Sequence, residues 1–184
     1  MKYYAVQVAS GREGKFIEQA ERLLISRSTM QRFIFLRRQL RIWRQGKPLM
    51  EIQPLFPGYL FIEVEDTIDT DLYRILRKID TFYRFLKSNH DITALAGHDL
   101  SLLEHFMRIG ETAGPSTVYF DQNDRIVVTQ GPLKGLEGNI IKVDRRKQRA
   151  KIQLEFENAP MTFDLSFDIM SKEEHNDRNE KNEE

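Results

Sequence analysis

Near residue 110 the hydrophobic pattern of this chain changes its period, and that change limits the folds open to it. Before it, apolar side chains recur at helical spacing: Phe16, Ile17, Ala20, Leu23 and Leu24; then Leu72, Ile75, Leu76 and Ile79; then Leu102, Leu103, Phe106 and Met107. After it the spacing is two-fold. Ala150, Ile152, Leu154 and Phe156 alternate with Lys151, Gln153 and Glu155, and Met161, Phe163 and Leu165 alternate with Thr162 and Asp164. Between the two lies GETAGPST, residues 110–117, which has two Gly, one Pro and no large apolar side chain. It reads as a flexible linker, reaching roughly 16 Å.

The first part, 1–109, also carries strands. KYYAVQV (2–8) is one. RFIFLRRQLRI (32–42) and LMEIQ (49–53) flank the turn RQGKP, a further strand is entered through Pro57 and Gly58, and FYRFL is a short one. Ser10 with Glu13 reads as a capping box for the first helix, and Asp99 as the cap of the last. ASGREGK fails as a phosphate loop, because Ala9 stands where the first Gly belongs and Phe16 follows the Lys. The expected fold is α+β, an antiparallel sheet flanked by helices. The second part, 118–170, has four short strands, at 125–129, 139–143, 150–156 and 161–165, and is expected to close as a small all-β barrel. The tail, 171–184, is expected to be disordered and acidic.

The run LFPGYLFIEVE (55–65) is the most aromatic short stretch. By strand parity, Leu60, Ile62 and Val64 face a core, while Tyr59 and Phe61 share their face with Glu63 and Glu65. Rings beside carboxylates point to a partly wet contact surface, with cover by a helix as the alternative.

The formal net charge is zero, yet eight basic residues and no acid lie between Arg22 and Met50, offset by an acidic tail. Arg32, Arg37, Arg38, Arg41, Arg44 and Lys47, interleaved with Phe33, Phe35 and Trp43, form a candidate nucleic-acid-binding block; a solvated basic face is the alternative. The absence of Cys removes disulfides, thiolate metal sites and thiol catalysis. His90, His98, His105 and His175 show no metal spacing, and a helix starting at Asp99 would leave His98 outside it. Glu65 and Asp66 read as solvated loop charges. No catalytic constellation, cofactor motif or membrane-length apolar run is present, and the start, MKYYAVQVAS, lacks the apolar core of a signal peptide. A soluble, cytoplasmic, non-enzymatic protein without cofactor is expected.

Three stretches together resemble the NusG family of transcription elongation factors: YYAVQVASGREGK, PLFPGYLFIEVE and GPLKGLEGNIIKVDRRKQRAKIQLE, the last similar to a KOW motif. The resemblance implies a polymerase-binding domain followed by a KOW-type barrel. It implies docking on the clamp helices of the largest RNA polymerase subunit through Phe56, Pro57, Tyr59 and Phe61. In the KOW loop it points to Gly131, Leu133, Lys134, Gly135, Leu136 and Gly138 as a partner-binding surface, with Gly131, Gly135 and Gly138 supplying positive φ and Lys134 and Lys142 standing outside. Leu133 replaces the family's usual Phe, which puts contact with Rho or a ribosomal protein in doubt. That departure and the basic block suggest a specialised, operon-directed paralogue similar to RfaH or LoaP, recruited by single-stranded DNA or a nascent RNA hairpin. A ribosome-associated or free RNA-binding KOW protein is the alternative. The regular alternation at 150–156 and 161–165 favours a stable barrel with no helical second state.

Overall fold

The computed structural model describes residues 1–25, 30–86 and 92–170. In chain order the elements are β1 (Lys2–Val8), α1 (Glu13–Leu24), β2 (Gln31–Ile34), β3 (Arg37–Arg44), β4 (Lys47–Pro54), β5 (Tyr59–Val64), α2 (Thr70–Arg77) and β6 (Phe82–Phe85). They continue with α3 (Gly97–Ile109), β7 (Thr112–Ala113), β8 (Ser116–Phe120), β9 (Ile126–Gln130), a 3-10 turn (Glu137–Asn139), β10 (Ile140–Asp144), β11 (Arg149–Phe156) and β12 (Ala159–Ile169). The expected tail, 171–184, and both His90 and His175 lie outside the described residues.

The chain forms two compact units. Among the described residues, the first comprises those within 1–37, 54–111 and 155–159; the second comprises those within 38–53, 112–154 and 160–170. Hence the hairpin β3–β4 groups with the C-terminal strands, and the turn between β11 and β12 groups with the N-terminal elements. The stretch read as a linker carries β7 and the start of β8.

In the first unit the sheet order is β2-β5-β1-β6, and its ladders are antiparallel, as expected. Tyr4, Val6 and Val8 of β1 and Leu60, Ile62 and Val64 of β5 meet Phe16, Ala20 and Leu24 of α1 and Leu72 and Leu76 of α2 in one core. Each Val, Leu, Ile or Phe side chain among them contributes about 1.5–3 kcal/mol by leaving water. The parity assigned to Leu60, Ile62 and Val64 therefore holds.

Two expected caps do not form. α1 begins at Glu13, preceded by Arg12 with no side-chain cap. Glu13 is thus the first helical residue rather than the third, too early to complete a capping box with Ser10. Its buried carboxylate accepts instead from the Gly58 N–H at 2.8 Å. α3 begins two residues before Asp99, so that carboxylate lies inside the first turn, and His98 shares a helix face with His105, seven residues on. Asp69 caps α2 by accepting from the Leu72 N–H at 2.7 Å.

In the second unit, five strands run β10-β11-β12-β8-β9 and three run β4-β3-β7, giving an all-β half-barrel beside a small sheet. Ala150, Ile152 and Leu154 are buried, in keeping with their alternation. The sequence reading missed β8, which pairs parallel with β12 through Ser116, Thr117 and Val118. Its first residue follows Gly114 and Pro115, which look like punctuation. Yet Ser116 is fully buried, and its hydroxyl accepts from the Leu133 N–H at 2.9 Å. A Cβ on Gly131 would lie 2.6 Å from the Ser116 Cα, at φ +97°, so this turn admits only Gly. Gly135 also has positive φ, but Gly138 does not: it sits in the 3-10 turn, and the expectation of a left-handed residue there fails.

Candidate partner-binding surfaces

The Phe-Pro-Gly-Tyr turn is anchored from both sides. The Val8 N–H donates to the Gly58 carbonyl at 2.8 Å, and the Tyr59 N–H donates to that of Phe56 at 3.0 Å. Gly58, at φ +81°, would place a Cβ 3.3 Å from the Val8 carbonyl oxygen. These constraints hold Phe56 and Tyr59 in fixed positions around the turn.

Around the turn the rings form a closed cluster. Phe56 meets Phe61 and Phe106 edge-on, each at 5.9 Å between centroids, and stacks on Phe156 at 5.5 Å. Phe156 also meets Tyr59 at 5.8 Å and Phe61 at 5.9 Å, both edge-on. Such pairs add about 0.5–1.5 kcal/mol each beyond area burial. Phe56 and Phe61 are each only 1% exposed, Tyr59 is half-buried and Pro57 is exposed. The expected wet face is therefore uneven along β5. It is dry at Phe61 and wetter at Glu63, whose carboxylate accepts from the Tyr3 hydroxyl at 2.9 Å. Both cover by a helix, through Phe106 of α3, and cover by Phe156 occur.

Residues 155–159 are fixed in this unit by polar contacts as well. The Glu157 N–H donates to the Asp99 carboxylate at 3.1 Å, and His98 Nε2 lies 3.1 Å from the Glu155 carbonyl. Glu157 and Asn158 take φ of +53° and +59°, the left-handed pair of a tight hairpin turn. The sequence reading missed this use of Phe156, His98 and Asp99. Phe156 fits the two-fold alternation of β11 so well that nothing local marks it as different.

The basic block is not one surface. Arg32 and Arg37 fall in the first unit, and Arg38 to Lys47 in the second. Arg32 pairs with Glu111 at 2.8 Å and lies 3.8 Å from Glu63; the Glu111 bond holds its guanidinium above its ordinary range. Arg37 is half-buried near the Phe35 ring, 5.8 Å from its centroid. Arg38 is 9% exposed and lies over the Phe163 ring at 5.4 Å; burial lowers its pKa, and its Nε and Nη1 find no hydrogen-bond partner among the described residues. Arg41 pairs with Asp168 at 2.7 Å, its N–H donates to the Ser166 hydroxyl, and its carbonyl accepts from both Nε and Nη2 of Arg149. Only Arg44 and Lys47 of the six are exposed without an ion-pair partner among the described residues. They lie beside the Gln45–Gly46 turn, near exposed Trp43, Leu49, Met50 and Ile52.

In the KOW loop, Leu133 is fully buried and so is not presented to a partner. Lys134 is exposed, as expected; it donates to the Val128 carbonyl at 3.1 Å and lies 3.9 Å from Glu137. Gly135 and Gly138 are exposed and Leu136 is half-buried. No helix among the described residues is long and apolar enough to cross a membrane.

Residues 1–104 match the family profile described as "Transcription termination factor nusG", and residues 122–155 match the KOW motif. The chain is 23% identical to the transcription termination/antitermination protein NusG of a Synechocystis species, over 93% of this chain and 89% of that protein. It is 22% identical to the NusG of Borreliella burgdorferi, over 92% and 97%. A solved structure described as "Domain interaction in Thermotoga maritima NusG" aligns over 90% of this chain and 93% of that one, with a TM-score of 0.55 at 17% identity, a likeness of fold. With more than half of its length matched by the profile, and both regions in the expected order, the chain belongs to the NusG family.

Proposed function

We propose that this chain is a non-enzymatic elongation and antitermination factor. It docks on the clamp helices of the largest RNA polymerase subunit through a 1–109 domain and carries a KOW-type domain over 118–170. The observation that carries the reading is the ring cluster on a rigid Phe-Pro-Gly-Tyr turn, in a chain of the NusG family. A helix-in-groove contact needs apolar area held in a fixed frame, and Phe56, Pro57, Tyr59 and Phe61 supply it. Pro57 and Tyr59 form its reachable edge. Phe56 and Phe61 lie under Phe156, so full docking requires residues 155–159 to leave the rings.

The factor is a specialised paralogue in this reading, recruited by a single-stranded DNA or nascent RNA element. The support is the exposed group Trp43, Arg44 and Lys47, which combines a ring for stacking with two uncommitted cations. Burial of Leu133 argues against a Rho or ribosomal-protein contact made by that side chain.

The test is titration of the isolated clamp-helix coiled coil against the full chain. Tyr59→Ala should weaken binding about 30-fold, the effect of removing an aromatic hot spot worth ~2 kcal/mol. Phe156→Ala should tighten it by uncovering Phe56 and Phe61. Equal binding by wild type and Tyr59→Ala, or none by any of the three proteins, would overturn the reading.

A further inference from the structure

A second basic stretch lies in the second unit, on the hairpin of β10 and β11. Residues 142–151 contain six basic side chains, Lys142, Arg145, Arg146, Lys147, Arg149 and Lys151, and one acid, Asp144. Two of the six are engaged within the fold. Arg145 lies 3.6 Å over the Phe120 ring and donates to the Asp124 carboxylate at 3.0 Å, while Arg149 donates to the Arg41 carbonyl. Asp144 is also engaged, its carboxylate accepting from the Lys147 N–H at 2.9 Å within the turn.

The remaining charges are poorly neutralised. Lys142 and Lys151 stand directly opposite each other in the ladder, where like charges destabilise a sheet. The nearest counter-charge, Asp164, lies 3.9 Å from Lys151 and 4.0 Å from Arg149, so two cations share one carboxylate at long range. Lys142, Arg146 and Lys147 are exposed and have no ion-pair partner among the described residues. Lys142, Lys147, Arg149 and Lys151 line a shallow cleft of about 170 Å³ with the two aspartates. A like-charged cross-strand pair at the wall of a cleft is a cost that an anion there would offset.

We propose that this hairpin is a sequence-independent binding surface for the phosphate backbone of duplex DNA, separate from the Trp43–Lys47 hairpin tip. No aromatic side chain on this stretch is offered to an unpaired base: the Phe120 ring is covered by Arg145, and the one strongly exposed apolar residue is Ile141. Single-strand binders rely on such rings. A duplex presents a dense row of phosphates without them, one charge per ~1.7 Å of axis. Lys142 stands on β10, and Arg146 and Lys147 on the turn that follows it, so the three exposed cations run from the strand to the hairpin tip.

The experiment is fluorescence anisotropy of the full chain with a labelled random-sequence DNA duplex of about 20 base pairs across a salt series. The triple substitution Lys142→Gln, Arg146→Gln, Lys147→Gln removes only exposed, unpaired cations, and circular dichroism checks that it folds. It should make the slope of log affinity against log salt shallower by about 2 to 3, at ~0.9 for each phosphate no longer neutralised. The proposal is overturned if the triple variant keeps the wild-type slope, if the triple substitution weakens binding to a single strand of the same length at least as much as binding to the duplex, or if the wild type does not bind the duplex at low salt.

Discussion

The chain has two basic stretches with six cations each, 32–47 and the denser 142–151, and the fold treats them differently. In the first, Arg32 is bound to Glu111, Arg41 to Asp168, and Arg38 is buried against Phe163. In the second, Lys142, Arg146 and Lys147 remain open to solvent. The difference comes from acids far away in sequence. Glu63, Glu111 and Asp168 neutralise Arg32 and Arg41 of the first stretch, leaving Arg44 and Lys47 exposed at its end, although no acid occurs between Arg22 and Met50. The second has Asp144 within it and still keeps its charge, because that carboxylate is engaged by its own turn. A local charge count therefore measures supply, and only the fold decides what is available.

The comparison is tested most severely at Arg38. Two of its guanidinium nitrogens are buried with no hydrogen-bond partner among the described residues, and replacing poorly satisfied buried charge by apolar side chains of similar size is often neutral or stabilising by about 1–4 kcal/mol. Arg38→Met should therefore raise the urea midpoint of the full chain with an unchanged slope, by about 1–2 kcal/mol. A fall in stability would mean that the guanidinium is well satisfied. Duplex binding should not change. If it weakened, the first stretch would be as available as the second.

A smaller effect is expected at Asp168. Its pair with Arg41 is partly exposed, with side chains 55% and 23% accessible, so solvent screening limits its worth to about 0.5–1 kcal/mol. Asp168→Asn should lower stability by that amount at low salt, and the deficit should shrink as salt is raised. Anisotropy on the same variant sharpens the comparison. Freeing Arg41 should strengthen nucleic-acid binding slightly, which would identify Asp168 as the residue that holds this cation back.

Periodicity carried much of the fold, since helix faces and strand alternation are local patterns. The core faces of β5 and β11 were legible in this way. What escaped were features set by partners distant in the chain. β8 begins in a Gly-Pro segment and owes its place to pairing with β12 and to the Ser116–Leu133 bond. The candidate site divides similarly. Phe56, Pro57, Tyr59 and Phe61 were found from the turn motif, but Phe106 and Phe156, which close over them, lie 45 and 95 residues beyond Phe61. Their own surroundings in sequence explain them fully as helix and strand core residues, so no local signal separates them.

The weakest expected effect concerns Glu63, which serves Tyr3 and Arg32 together. Burial, and then the hydrogen bond to Glu63, raises the Tyr3 phenol above its ordinary 10.0. A raised pKa means that the folded state favours the protonated phenol. That contribution is complete below the unfolded value and is lost as pH rises through the folded one. Wild-type stability should thus fall more steeply above pH ~10 than that of Tyr3→Phe, which has no proton to lose. The check is a urea series on both proteins from neutral to strongly alkaline pH. Parallel curves would mean that ionising Tyr3 does not disturb Glu63, leaving that carboxylate anchored by Arg32 alone. Curves that converge with rising pH would place Tyr3, Glu63 and Arg32 in one network, with Arg32 restrained from two sides. An arginine so restrained is supply without availability, the condition that separates the first basic stretch from the second.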